Sequence, residues 1–256
     1  MYVGLVVSVA QVRDVVYIVC RQSSTILRFS ATTHQRLTDI IVKDLKSLFD
    51  IAACEQTSQL YVGDSGECIW RVSTDGADMK RWWSSPSSDT FIPWSLSVTS
   101  TRLLVTSLGT KQLMQLSAGG AELRRVQLPL YMEPQHAVES PTGTFIVSHK
   151  NKQLNQSQVS EVNTGGEVLR HFSGSRLPSL GLPGHVAVDS HGNILVADRD
   201  NRHILLLDAQ LKLRRVIIDE DQLNDKQPWR LCYREQSGQL LVGYAGGVTV
   251  FDVLHR

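Results

Sequence analysis

Two histidines sit in matching contexts along this 256-residue chain: Pro134-Gln135-His136 and Pro183-Gly184-His185 each precede a short apolar strand. Imidazoles held on neighbouring strands at one level are the raw material of a zinc site, which takes three or four protein ligands in a tetrahedral set. The equivalent positions before and after them hold Ser95 and Arg230, so the set stops at two histidines beside a cation. That composition suits a polar lining better than a metal centre, and no metal or other cofactor is expected. A hard-cation site would need several converging oxygen ligands, and the strand starts offer none. Asp189 and Glu139 fall at strand ends, where they serve turn initiation. No serine or cysteine nucleophile is brought into register with a histidine and an acid.

The elements that position these residues repeat. Tyr17-Ile18-Val19, Leu60-Tyr61-Val62, Leu103-Leu104-Val105, Phe145-Ile146-Val147, Ile194-Leu195-Val196 and Leu240-Leu241-Val242 recur every 42 to 49 residues. A period of roughly 40–50 residues built from short strands is that of a β-propeller, one blade per repeat. No repeat buries its own faces, so the repeats must pack radially. The expected fold is all-β: a single domain over 1–256, a six-bladed propeller of antiparallel four-stranded blades. The blades fall near 5–43, 44–92, 93–134, 135–183, 184–228 and 229–256. The last is expected to be three-stranded and closed by contact between repeats one and six, with residues 1–4 too short for an outer strand.

The fifth repeat shows the unit in full. His185–Asp189 is the inner strand, Gly192-Asn193 a tight turn, Ile194–Ala197 the second strand, His203–Asp208 the third and Lys212–Ile218 the outer one. Third strands end in Ser30, Ser73, Ser117, Asn163, Asp208 and Asp252, residues that hydrogen-bond their own following backbone and so begin turns. The stretch Val188-Asp-Ser-His-Gly-Asn-Ile-Leu-Val-Ala-Asp-Arg-Asp-Asn-Arg-His-Ile204 resembles the NHL-repeat family of six-bladed propellers; repeats two, four and six match it more loosely. The resemblance implies a non-catalytic scaffold that binds a protein or peptide, in that family often recruiting substrates for an attached ubiquitin-ligase region. This chain carries no RING or B-box cysteine pattern, so such a region would lie outside it. Two other readings come with propellers: a hydrolase or lyase with a metal in its channel, and an RNA-binding NHL domain.

Composition weighs among them. Net charge is +1 and the sequence pI about 7.8, without the basic stripe that phosphate binding requires. The loops sharing one face (43–49, 84–94, 129–135, 174–184 and 219–229, with 21–24, 63–67, 107–111, 148–157, 198–202 and 243–247) carry nearly balanced charge, which disfavours RNA. The same loops hold Trp94, Tyr131, Arg199, Arg202 and Trp229, residue types that dominate interface energies. These five are the expected partner-binding face, and His136, His185 and Arg230 the expected channel mouth. Phe91 lies in one of these loops too.

Cys20, Cys54, Cys68 and Cys232 show no C-x-x-C spacing and read as buried free thiols. The apolar start Met1–Ala10 lacks a basic n-region and reads as a strand rather than a secretory signal. A cytoplasmic protein with no membrane association is expected, secretion being the lesser alternative.

Overall fold

A computed structural model describes residues 2–64, 67–86, 90–99, 102–174 and 180–253, with backbone alone for 2–5. Parts of the expected face loops 63–67, 84–94 and 174–184, and the end of the 229–256 repeat, lie outside the described residues. The architecture is all-β and antiparallel. The first repeat contributes β1 (Tyr2–Val12), β2 (Val15–Cys20), β3 (Thr25–Ser30) and β4 (Ile40–Ile41); the second β5 (Leu48–Cys54), β6 (Gln59–Asp64), β7 (Cys68–Ser73) and β8 (Met79–Ser84). The third gives β9 (Ser95–Thr99), β10 (Arg102–Ser107), β11 (Gln112–Leu116) and β12 (Glu122–Gln127); the fourth β13 (Met132–Glu139), β14 (Phe145–Asn151), β15 (Gln156–Val162) and β16 (Val168–Phe172). The fifth is β17 (Pro183–Val188), β18 (Ile194–Asp198), β19 (His203–Leu207) and β20 (Leu213–Ile218), and the chain ends in β21 (Arg230–Arg234) and β22 (Gln239–Asp252).

Repeats two to five each form one four-stranded sheet, but the expected count of six blades is corrected to five. The sixth repeat makes no sheet of its own. It is fused to the first in a six-stranded sheet ordered β21-β22-β1-β2-β3-β4. The cause is the length of β1: its backbone at Tyr2, Gly4 and Leu5 pairs with Gly247, Gly246 and Ala245, and the same strand then pairs with β2 from Val6 onward. Repeats one and six therefore meet as expected, while the segment read as too short to pair does pair. The run β22 folds back at Gly246, whose φ is +99°, so that Val253 N–H reaches Gly238 O at 2.8 Å.

Burial explains why the second strand is the most apolar of each repeat. Both of its faces are covered by neighbouring sheets, and β18 is buried at all five positions. The outer strands are largely exposed, as in β12 and β20. Apolar clusters lie between successive sheets; Ile146 and Val159 of repeat four, for example, pack with Val186 and Val196 of repeat five. The turns after the third strands form as their residue types require. Ser73 Oγ accepts from Asp78 N–H, Ser117 Oγ from Ala121 N–H, and Asn163 Oδ1 from Gly165 and Glu167 N–H. Cys54 and Cys68 are buried as expected, whereas Cys20 and Cys232, also read as buried, are half-buried. Among the described residues no helix is long and apolar enough to cross a membrane.

Gly166 shows what such a turn demands. Its φ is +89°, and a Cβ there would stand 2.2 Å from the Gln127 carbonyl oxygen of the preceding sheet. Gly143 also has positive φ (+80°) but opens on empty space. Gly166→Ala should cost more than about 1 kcal/mol, beyond the backbone strain that Gly143→Ala also meets. Paired chemical denaturations of the two variants check this; equal midpoints would show that the clash relaxes freely.

Candidate functional site

The six inner strands β1, β5, β9, β13, β17 and β21 surround one channel, each contacting the next around the ring. Asp50, Ser95, His136 and Arg230 each pair with the residue just after the second-strand valine (Gly63, Thr106, Ser148 and Gly243) and so share one level. Ser8 of β1 and His185 of β17 lie next to them. This brings together the three residues expected at the channel, and adds Ser8 and Asp50, which sequence reasoning missed. Asp50 stands in the second repeat where the histidines stand in the fourth and fifth, so register with Val62 was the signal for it.

Most of these polar side chains tie one inner strand to the backbone of the next. Arg230 Nε donates to Val7 O (2.6 Å), joining β21 to β1, and Ser8 Oγ donates to Ile51 O (3.3 Å), joining β1 to β5. Asp50 accepts from Leu96 N–H of β9 (2.7 Å) with one oxygen and from Ile51 N–H (2.9 Å) with the other. His136 contacts Leu96 O through Nε2 (3.3 Å) on one side and accepts from Val186 N–H through Nδ1 (3.4 Å) on the other. An Nδ1 that accepts must be unprotonated, so the tautomer consistent with both contacts carries its proton on Nε2. Between β17 and β21 the link lies nearer the turns, where Ser190 N–H and Oγ both donate to the Glu235 carboxylate.

The electrostatics follow from this placement. Burial, reinforced by the positive charge of Arg230, pushes the His136 imidazole down to about 3. The His185 ring stacks on it, centroids 3.6 Å apart, and is held well below the ordinary histidine range by burial and then by His136 and Arg230. Asp50 has no exposed surface, and its carboxyl is raised by burial even though Arg230 Nε lies 3.8 Å away. A cation beside two stacked neutral imidazoles, one with both nitrogens engaged, does not suit a metal ion.

The channel widens from this floor into a cavity of about 590 Å³, walled by Ala52, Val98, Val138 and Ala187 among others. Its lining reaches the first turns of the repeats at Glu55, Ser140, Ser190 and Glu235, and no described residue of the long loops lines it. His136 and His185 are thus the floor of a cavity that opens opposite the long-loop face, rather than a mouth on that face, and Arg230 lies beside them outside its lining. At its rim Asp189, His191 and Glu235 bring ligand atoms within 4.8 Å of one another. Their carboxylates are already engaged: Asp189 accepts from His191, Asn193 N–H and Asn193 Nδ2, and Glu235 from Ser190.

On the long-loop face, Arg199 lies over the Trp229 ring at 4.1 Å, and Arg202 pairs with Asp225 (3.5 Å) and Glu220 (3.9 Å). Trp94 and Tyr131 stand apart from that group, on repeats three and four. Trp94 is 42% exposed, whereas Tyr131 packs against the cluster containing Leu128 and Met132. Phe91 is buried in the core. Beside Trp94 and Tyr131 lie exposed side chains that sequence reasoning passed over: Ile92, Leu130 (76%) and Leu154 (59%). Lys111 Nζ donates to Leu130 O and Lys152 N–H to Tyr131 O, holding these loops side by side.

Comparison with known proteins supports the class of fold. No protein-family model matches the chain, so the NHL resemblance stays a likeness of motif, and no curated protein matches it either. Solved structures do. Kuenenia stuttgartiensis hydrazine synthase matches over 100% of this chain and 98% of its own, at TM-score 0.69 and 13% identity. The WD40 β-propeller domain of Doa1 matches over 98% and 93%, at 0.68 and 15%. A nidogen/laminin complex matches over 86% and 82%, at 0.67 and 17%. At such identities the likeness is one of fold: the chain is a β-propeller.

Proposed function

We propose that this propeller is a non-catalytic scaffold that binds a protein or peptide through its long-loop face. The observation that carries the reading is a division of labour between two regions. In the channel, Asp50, His136 and Arg230 are spent on neighbouring backbone. On the loop face, Ile92, Trp94, Leu130 and Leu154 stand exposed, and Arg199 and Arg202 lie apart from them on repeat five. Large apolar and arginine side chains on rigidly held loops are the groups that dominate protein interfaces. One propeller of similar fold comes from a nidogen/laminin complex, an assembly of proteins. Because loop charges nearly cancel, binding should depend on salt less steeply than phosphate binding does.

The test is quantitative affinity capture of partners by wild type, Trp94→Ala/Leu130→Ser, Arg202→Ala and the opposite-face variant Glu55→Gln. The two loop-face variants should retain tenfold less of the same partners, and Glu55→Gln should match wild type. Retention lost only in Glu55→Gln would move the site to the cavity's face and overturn the reading.

A further inference from the structure

The cavity above the stacked histidines has the size and the walls of a small-molecule site. Its volume of about 590 Å³ lies within the span of ligand pockets, roughly 300–1,000 Å³. Its walls are apolar at Ala52, Val98, Val138 and Ala187, side chains of four different inner strands. At the floor the His185 ring lines the cavity, and its Nδ1 is buried with no hydrogen-bond partner among the described residues. A buried polar atom without a protein partner needs an explanation, and a polar group of a bound molecule is one.

The rim supplies charge of one sign. Among the described lining residues, the carboxylates of Glu55, Glu139, Asp189 and Glu235 stand against a single cation, Arg234. Two of the four are answered by the protein: Arg234 pairs with Glu55 (3.5 Å) and Arg102 with Glu139 (3.5 Å). Asp189 and Glu235, on the first turns of repeats five and six, are held mainly by neutral donors. Asp189 accepts from the His191 and Asn193 main chain and from Asn193 Nδ2, and Glu235 from Ser190 N–H and Oγ. The titratable base beside them is the His191 ring, 3.5 Å from Glu235. A carboxylate offers about four acceptor sites, so both keep capacity for a further donor.

Tyr233 completes this part of the rim. It lines the cavity, and burial and then the charges of Glu235 and Asp189 raise its phenol. Ligand atoms of Asp189, His191 and Glu235 lie within 4.8 Å of one another, close enough for one ammonium to reach both carboxylates. An aromatic ring beside carboxylates attracts an organic ammonium by its π-face as well as by charge. We infer that the cavity binds a small organic cation, its apolar aromatic body against the walls and the histidine floor and its ammonium held at the rim by Asp189, Glu235 and Tyr233. The site opens opposite the loop face and does not rest on the reading given for that face.

The probe is dansylcadaverine, a primary ammonium joined to a fluorescent aromatic ring by a methylene chain, titrated against the full chain by its emission. Its N-acetylated analogue, which lacks the charge, is the control that needs no variant. Saturable binding with blue-shifted emission is expected, about fivefold tighter for the amine than for the analogue, the scale of a partly exposed charge pair. Glu235→Gln should remove most of that preference. Val98→Phe, which fills the cavity, should weaken amine and analogue alike by about tenfold, the scale of displacing an apolar body from its pocket. Trp94→Ala on the loop face should bind as wild type does. Absence of saturable binding, equal affinity for amine and analogue, or a preference unchanged in Glu235→Gln would each overturn the assignment. So would loss of binding in Trp94→Ala, which would place the probe on the other face. Should Val98→Phe not fold, the comparison of amine with analogue on wild type and Glu235→Gln still decides.

Discussion

Asp50→Ala should destabilise the folded protein by about 3–5 kcal/mol, the scale for removing one partner of a buried, hydrogen-bonded charge pair. Asp50 has no exposed surface, and three groups depend on its oxygens: Leu96 N–H, Ile51 N–H and, at 3.8 Å, Arg230 Nε. Alanine removes the acceptor of two amides in a fully buried site and takes from Arg230 the carboxylate that pairs with it. Asp50→Asn should lose less, because its amide oxygen still accepts from one amide. The effect should be cooperative, since Asp50 links β5 to β9 and Arg230 links β21 to β1 across the same ring. A double-mutant cycle with Arg230→Met, followed by urea denaturation, is the measurement. A single-variant loss below about 1 kcal/mol would show that the ring holds by apolar packing alone.

Asp50 also marks where the sequence stops being legible. The repeat period could be read directly because each of six second strands must be apolar on both faces, and their valines set the register. That register gathered His136, His185 and Arg230 at the channel, though as its floor and the cation beside it rather than as a mouth. It missed Asp50 because Phe49-Asp50-Ile51 has no Pro-x-His frame to draw attention to it. The blade count failed for a different reason. Hydrogen bonding between Tyr2–Leu5 and Ala245–Gly247 fuses the terminal repeats into one sheet, and pairing between distant segments leaves no mark in periodicity. On the loop face, residue type favoured Trp229 and Tyr131, but exposure depends on packing. Trp229 lies under Arg199, while Leu130 and Leu154, unremarkable in sequence, face solvent.

The stability of the protein should fall steeply as pH drops below 6.5, through histidines buried in the neutral state. Burial pushes His136 down to about 3 and His149, which contacts Ser160 Oγ at 2.8 Å, down to about 4. In the unfolded chain both return to an ordinary value near 6.5. A depressed folded-state pKa means the unfolded chain binds more protons between the two values. The stabilisation is therefore complete above 6.5 and is lost as pH falls toward 4 for His149 and 3 for His136. At pH 5 each histidine should have lost about 2 kcal/mol. Asp50 and Asp198 act in the opposite sense, because burial raises their carboxyls; what they contribute is present below about 3.8 and is lost as pH rises through their folded values. To separate the two effects, denaturation midpoints of wild type and His149→Gln are compared from pH 8 to pH 5. The carboxylate contributions cancel in the difference between the two profiles. That difference should narrow by about 2 kcal/mol between pH 8 and pH 5, as the wild type loses stability that the glutamine variant never had. Parallel profiles would show that His149 is already protonated, or reached by water, in the folded protein.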